Sequence, residues 1–211
     1  MRNTMGTTSK VWFLVIMLAG PALAQNRLAE PSPAIVGPAY DVSTGYTYLA
    51  MPIAGAGQVH LNGLDASGSI AWSPRWGATL DTSYLRTSDI PGIGHQAYLL
   101  NTQCGPEFYP FEHRNSRFFV RVLGGSALID GAVPVGKTGL YHGWLVRPSF
   151  TAGGGFEQSI SGQFAIRING DYLHTSFYDS TGAVLPQNNL RLTVSFVIRV
   201  KKGAGRVNTA W

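Results

Sequence analysis

Eight stretches that alternate apolar and polar residues, a charged content of only 13%, and aromatic residues gathered at both ends of those stretches together predict the fold class. It is all-β: an eight-stranded, antiparallel, up-and-down transmembrane β-barrel. The alternation is clearest in NNLRLTVSFVIRV at 188–200, where Leu190, Leu192, Val194, Phe196, Ile198 and Val200 take every second position. Arg191, Thr193, Ser195, Val197 and Arg199 sit between them. A period of two belongs to a strand with two unlike faces, not to a helix. Soluble domains carry about 25% charged residues. A chain with half that share has little with which to cover a water-facing surface. A soluble sandwich or lipocalin would turn these leucines inward, and a membrane barrel turns them out to lipid.

The strands follow in order at 40–49, 59–72, 76–86, 96–108, 117–128, 144–157, 163–177 and 189–200, each bounded by Gly, Pro, Asn or Ser. In all eight the apolar set falls largely on even numbers: Tyr40, Val42, Tyr46 and Tyr48 in the first, Trp76, Ala78, Leu80 and Tyr84 in the third. Phe118, Val120 and Val122 form it in the fifth, and Phe164, Ile166, Ile168 and Tyr172 in the seventh. The connections alternate as well. SPR at 73–75, PFEHRN and SISG read as short turns, whereas MPIAGAGQ, 88–95, 130–142 and 178–188 read as longer loops. Short turns on one side and longer loops on the other place both termini in the periplasm. Tyr40, Trp72, Trp76, Phe108, Phe118, Phe156 and Phe164 fall near the short-turn ends, and Tyr48, Tyr84, Tyr98, Trp144 and Phe177 near the long-loop ends. Two aromatic belts are what amphipathic rings form at the two bilayer interfaces.

Residues 1–24 read as a cleaved secretory signal: Arg2 and Lys10 precede the apolar run VWFLVIMLAG, and Ala22-Leu23-Ala24 offers a small-x-small cleavage site. That run is well short of the roughly 20 residues of a membrane-spanning helix. The remaining 187 residues divide into a periplasmic linker at 25–39, the barrel at 40–200 and a tail at 201–211. Loss of Arg2 and Lys10 lowers the formal charge from +5 to +3, too little for nucleic acid as a partner. Cys104 is the single cysteine, so an internal disulfide and a cysteine zinc cluster are both excluded. The expected location is the cell outer membrane, and the chain is expected to be a monomer.

On the odd-numbered face lie Asp41, Asp65, Asp81, Glu107, Glu157 and Asp171, balanced by Arg117, Arg121, Arg147, Arg167, Arg191 and Arg199. An eight-stranded barrel has an interior just wide enough for side chains to fill. These groups are therefore expected to form an ionic network across a plugged lumen, with Arg121 and Arg167 reaching Asp65, Asp81 and Asp171. Buried ion pairs often stabilise no better than apolar packing. Their expected role is to make one face polar, so that only the other can choose lipid.

Two motifs suggest other chemistry. GAVPVGKT at 131–138 satisfies the phosphate-loop pattern GxxxxGK[ST], but GLYHGWLVRPSF after it begins a strand, not the helix whose N-terminus receives phosphates. His60, His95 and His142 gather toward the outer rim without any carboxylate spacing that would complete a metal site, so neither metal nor cofactor is expected.

At GGGFE, 153–157, followed by QFAIRINGDYLHTSF and NNLRLTVSFVIRV, the chain resembles the small outer-membrane β-barrel family related to the transmembrane domain of OmpA and to OmpX. The resemblance covers about 40–200. It implies an eight-stranded barrel with a structural, adhesive or interaction role through its extracellular loops, not an enzyme. Its partners would be outer-membrane lipid and lipopolysaccharide, the barrel assembly machinery, and an extracellular ligand of unspecified kind. Such barrels usually end on an aromatic residue, whereas this strand ends at Val200, and Ser195 stands where a glycine is common. The assembly signal is either Trp211 or an internal segment around Phe196. The His-x-Ser pair His174 and Ser176 also loosely resembles that of lipid A deacylases, which gives the alternative of an outer-membrane enzyme with Ser176 as nucleophile, His174 as base and Asp179 as orienting acid. Phe177 replaces the Asn expected after that serine.

Overall fold

The computed structural model of the protein describes residues 38–53, 57–88, 96–113, 115–135, 139–178 and 184–201. Within them the chain forms eight strands: β1 (Ala39–Ile53), β2 (Gly57–Ala71), β3 (Trp76–Thr87), β4 (Ala97–His113), β5 (Ser116–Val135), β6 (Gly139–Ser159), β7 (Phe164–Tyr178) and β8 (Val184–Lys201). Each pairs antiparallel with the next, and β1 pairs with β8 from Tyr40↔Lys201 to Ala50↔Leu190, so the sheet closes into a barrel. Closure leaves no sheet edge, and every strand's backbone groups find partners without water. The signal, linker and tail segments at 1–37 and 202–211 lie outside the described residues, with Trp211 among them.

Even-numbered side chains face out and odd-numbered ones face in, except past the irregularity between Phe108 and Phe111 at the end of β4, where Phe111 is exposed. Val42, Leu64, Leu80, Val120, Val122, Ile168, Leu192 and Val194 are exposed on the outer wall. An apolar wall around a polar interior is the reverse of a soluble barrel and is the surface a bilayer wets. Rings rim this wall at both ends. Trp76 packs on Phe108 with centroids 4.8 Å apart and Phe118 on Phe156 at 5.0 Å at the turn end, and Tyr84 stacks on Tyr98 at 6.1 Å at the loop end. Trp76 and Tyr84 both lie on the outward face of β3. Their spacing corresponds to roughly 20 Å along the axis at ~3.3 Å per residue and ~40° of tilt, close to the ~25 Å apolar band of membrane barrels.

The strands run further than period two suggests, and mostly at the loop end. β5 reaches Val135 and β6 starts at Gly139, so most of the segment read as a long loop at 130–142 is a paired hairpin, with Ala132↔His142 and Val135↔Gly139 in register. MPIAGAGQ is likewise mostly strand, with Met51↔Val59 and Ile53↔Gly57 paired. Backbone pairing needs no alternation of side chains, so it continues past the bilayer where the hydrophobic pattern fades. The difference between the two ends is therefore strand overhang more than loop length. At the turn end, Trp72 N–H donates to Trp76 O at 3.2 Å and Ile160 N–H to Phe164 O at 2.9 Å, closing tight hairpins.

Candidate functional site: the lumen and the loop-end rim

Interior side chains fall into layers along the axis. Nearest the turn end, Ala39, Ala71, Tyr109 and Phe119 make a small apolar cluster. Above it Glu157 gathers arginines from three strands. Arg167 Nη2 donates to its Oε2 at 2.8 Å, Arg199 Nη2 to its Oε1 at 2.8 Å, and Arg117 Nη2 to its Oε2 at 3.3 Å. Glu107 lies 3.6 Å from Arg167 and Asp41 3.6 Å from Arg117, contacts of charge without a hydrogen bond's geometry. Arg117 also covers the Tyr109 ring at 4.0 Å and Arg167 the Phe119 ring at 4.8 Å, so the planar guanidinium groups are sandwiched between carboxylate and π-face.

Higher up, Asp81 on β3 and Asp171 on β7 face one another across the barrel with Arg121 and Arg191 between them. Arg121 donates to Asp81 Oδ2 at 3.1 Å and grips Asp171 through Nε at 3.1 Å and Nη2 at 2.7 Å. Arg191 repeats the arrangement, with Nη1 to Asp81 Oδ1 at 2.7 Å and Nε and Nη2 to Asp171 Oδ2 at 3.1 and 3.0 Å. Asn169 adds an amide donor to Asp171 at 2.9 Å. All four charged side chains are buried. Gly153 opposes Asp171 in register, and a Cβ there would strike the Asp171 carboxylate as well as the β7 backbone. The missing side chain is what makes room for the ring.

Of the expected pairings, Arg121 with Asp81 and Asp171 is present. Arg167 does not reach Asp65, Asp81 or Asp171; it lies one layer nearer the turn end and takes Glu157 and Glu107 instead. Asp65 is buried, its Oδ2 has no hydrogen-bond partner, and no arginine lies within ion-pair distance of it among the described residues. Arg147 is half-buried on β6, in register with Ala127.

The interior is not polar throughout. Toward the loop end Leu49, Met51, Val59, Leu61, Leu85, Ala97, Leu99, Ala127, Ile129, Leu173 and Phe177 form one buried apolar cluster, with Leu145 packed against it. Counting Leu145 on β6, seven of the eight strands contribute residues to this disc, and every one of them is odd-numbered. Phe177 therefore belongs to the lumen and not to the outer aromatic belt, because its odd position turns it inward. The sequence signal was present in doublets such as Tyr48-Leu49, Tyr84-Leu85, Leu99-Leu100 and Tyr172-Leu173, where both faces turn apolar at once.

The remaining candidates do not assemble. His174 and Ser176 are half-buried on the outward face of β7, but His174 Nδ1 bonds Asn188 Oδ1 at 3.0 Å and no hydrogen bond joins it to Ser176 among the described residues. Neighbours two apart on one strand point the same way without meeting, which leaves the serine without a base among the described residues. Asp179 lies outside the described residues, as do His95 and the Gly136-Lys137-Thr138 end of the phosphate-loop pattern. His142 is on β6 in a hairpin, so the pattern has a strand after it and no helix.

At the loop-end rim an open groove of about 450 Å³ lies on the outer wall over β2 and β3 and beside the start of β4, lined by His60, Asn62, Arg86, Thr87, Ser88 and Gln96. Tyrosines order its edges. Tyr46 OH donates to Asn62 Oδ1 at 2.7 Å, Tyr98 OH to Gln96 Oε1 at 3.1 Å, and Tyr48 OH shares a 2.5 Å hydrogen bond with His60 Nδ1. Nothing in the sequence marked these residues as a group, because they meet only when β2, β3 and β4 pair.

No protein-family model matches the chain, and no curated protein matches it in sequence. Solved structures do match it in shape. Neisserial surface protein A superposes with a TM-score of 0.59 at 8% identity, covering 77% of this chain and 99% of that one. Ail, the attachment invasion locus protein of Yersinia pestis, gives 0.54 at 12% identity, with 78% and 99% covered. The outer membrane protein OprG from Pseudomonas aeruginosa gives 0.51 at 12% identity, with 80% and 98% covered. At such identities the likeness is one of architecture, and the architecture is that of the small outer-membrane β-barrels, as the resemblance to the OmpA and OmpX group implied.

Proposed function

We propose that the protein is a monomeric, non-enzymatic barrel of the cell outer membrane, with both termini in the periplasm, its lumen plugged, and its activity carried by the loop end and outer wall. The observation that carries this reading is the filling of the lumen. Cross-strand ion pairs occupy its lower and middle parts and a leucine-rich disc its upper part, so two unlike layers stand between the two ends. A narrow cylinder filled in this way has no room for a solute path. What is left to meet a partner is a surface, which favours a structural or adhesive role toward an extracellular ligand. The name of one similar structure, an attachment invasion locus protein, agrees with such a role. Assembly from the periplasm by the barrel machinery would carry the overhanging β5–β6 hairpin outward.

Planar bilayer recording tests the lumen: the folded chain should show no steady porin-sized conductance, and a stable large conductance would end this reading. Orientation is tested on intact cells in a Cys104→Ala background. A membrane-impermeant maleimide should label Ser88→Cys at the loop end and spare Arg75→Cys at the turn end. The opposite pattern would invert the topology.

A further inference from the structure

We infer that the loop-end groove over β2 and β3 binds the phosphate of a membrane lipid headgroup. The inference deepens the membrane reading and rests on it. Its strongest ground is the direction of the hydrogen bonds at the groove's edge. Tyr46 occupies the acceptor of Asn62, and Tyr98 occupies the acceptor of Gln96. What each amide has left for the groove is its NH₂, a pair of donors. The Tyr48 hydroxyl takes up His60 Nδ1, so Nε2 is the ring nitrogen of His60 that remains for a ligand. Arg86 adds a planar fork of five N–H groups, is exposed, and makes no hydrogen bond or ion pair with any described residue. Among the described residues no carboxylate lines the groove. The acid nearest in register is Asp130, which is paired with Tyr98, and Tyr98 stands between it and Arg86.

A site built of donors around an unpaired guanidinium is complementary to a compact oxyanion with several acceptor oxygens, of which a phosphate monoester is the fullest case. Its position selects the source. The groove is on the outward face, immediately beyond the stacked Tyr84 and Tyr98 rings that mark the interface, where headgroup phosphates lie. Acyl chains continuing from a phosphate held there would run down the apolar wall over exposed Leu64, Leu80 and Tyr84. An isolated interfacial arginine would snorkel to any headgroup. Oriented amides beside it give preference for one.

The test uses the full chain folded in a non-ionic, phosphate-free detergent, with bound lipid counted by native mass spectrometry. Short-chain phosphatidic acid should be retained, and the matching diacylglycerol should not. Arg86→Ala should weaken retention about tenfold, as loss of a charge-assisted, multidentate contact does. Asn62→Asp, which puts a carboxylate where an amide donates, should weaken it further, whereas Arg75→Ala at the opposite rim should change nothing. Equal retention of diacylglycerol, or equal losses from Arg86→Ala and Arg75→Ala, would overturn the site and leave only general interfacial anchoring. Inorganic phosphate that displaces the lipid at equal concentration would overturn the lipid as ligand. Heat-dependent gel migration of each variant reads the barrel itself, so a failure of the membrane fold is told apart from a failure of the groove.

Discussion

The lower and middle parts of the lumen and its loop-end part fill the same cylinder with opposite chemistry. Below, Asp81, Asp171, Arg121 and Arg191 hold one another through charge-assisted bonds as short as 2.7 Å, and Glu157 collects three arginines. Above, leucines from β1, β2, β3, β4 and β7 meet with Phe177 and Ile129 and offer almost nothing polar. The polar layers specify geometry, since each guanidinium has few arrangements that satisfy it. The apolar disc specifies only volume. The difference predicts that the ionic layer tolerates single changes poorly, and that the disc tolerates them in proportion to the space left behind.

Mutations can break that contrast. The largest effect is expected from Asp171→Ala, which leaves Arg121 and Arg191 competing for Asp81 in a buried site; the cost should be about 3–5 kcal/mol. Denaturant unfolding from vesicles, followed by tryptophan fluorescence, measures it, and an unchanged midpoint would mean that the ring contributes no geometry of its own. In the disc, Leu99→Ala should cost about 2–3 kcal/mol, toward the low end for core leucines because Met51 and neighbouring leucines can close in. A loss as large as that from Asp171→Ala would erase the distinction between the layers. Smallest is Arg199→Ala, at about 1 kcal/mol: its side chain is 12% exposed at the end of the lumen, and Glu157 keeps Arg117 and Arg167. A cost matching that from Asp171→Ala would show that the Glu157 cluster acts as a single unit and not as a shared set of contacts.

Much of the barrel was legible because its signal is local. Alternation in NNLRLTVSFVIRV assigns Leu190 to one face and Arg191 to the other whatever the strand pairs with, and the same reasoning found all eight strands. The lumen's charged residues were legible for the same reason, as odd positions in alternating runs. Where alternation fails the reading failed with it: the β5–β6 overhang looked like a loop, and Phe177 was placed with the outer rings by its height instead of its parity.

By itself, then, the sequence determined the strand count, the closed antiparallel architecture and which face of each strand meets lipid, since all three follow from period-two patterning and turn residues within a few positions. Only the tertiary structure decided who meets whom. Arg191 finds Asp81 across 110 residues of chain, Arg167 finds Glu157 and Glu107 instead of Asp171, and His60, Arg86 and Gln96 come to share one groove. Those choices depend on the register of neighbouring strands and on the width of the closed barrel. Both are properties of the whole sheet, which no single strand's pattern contains.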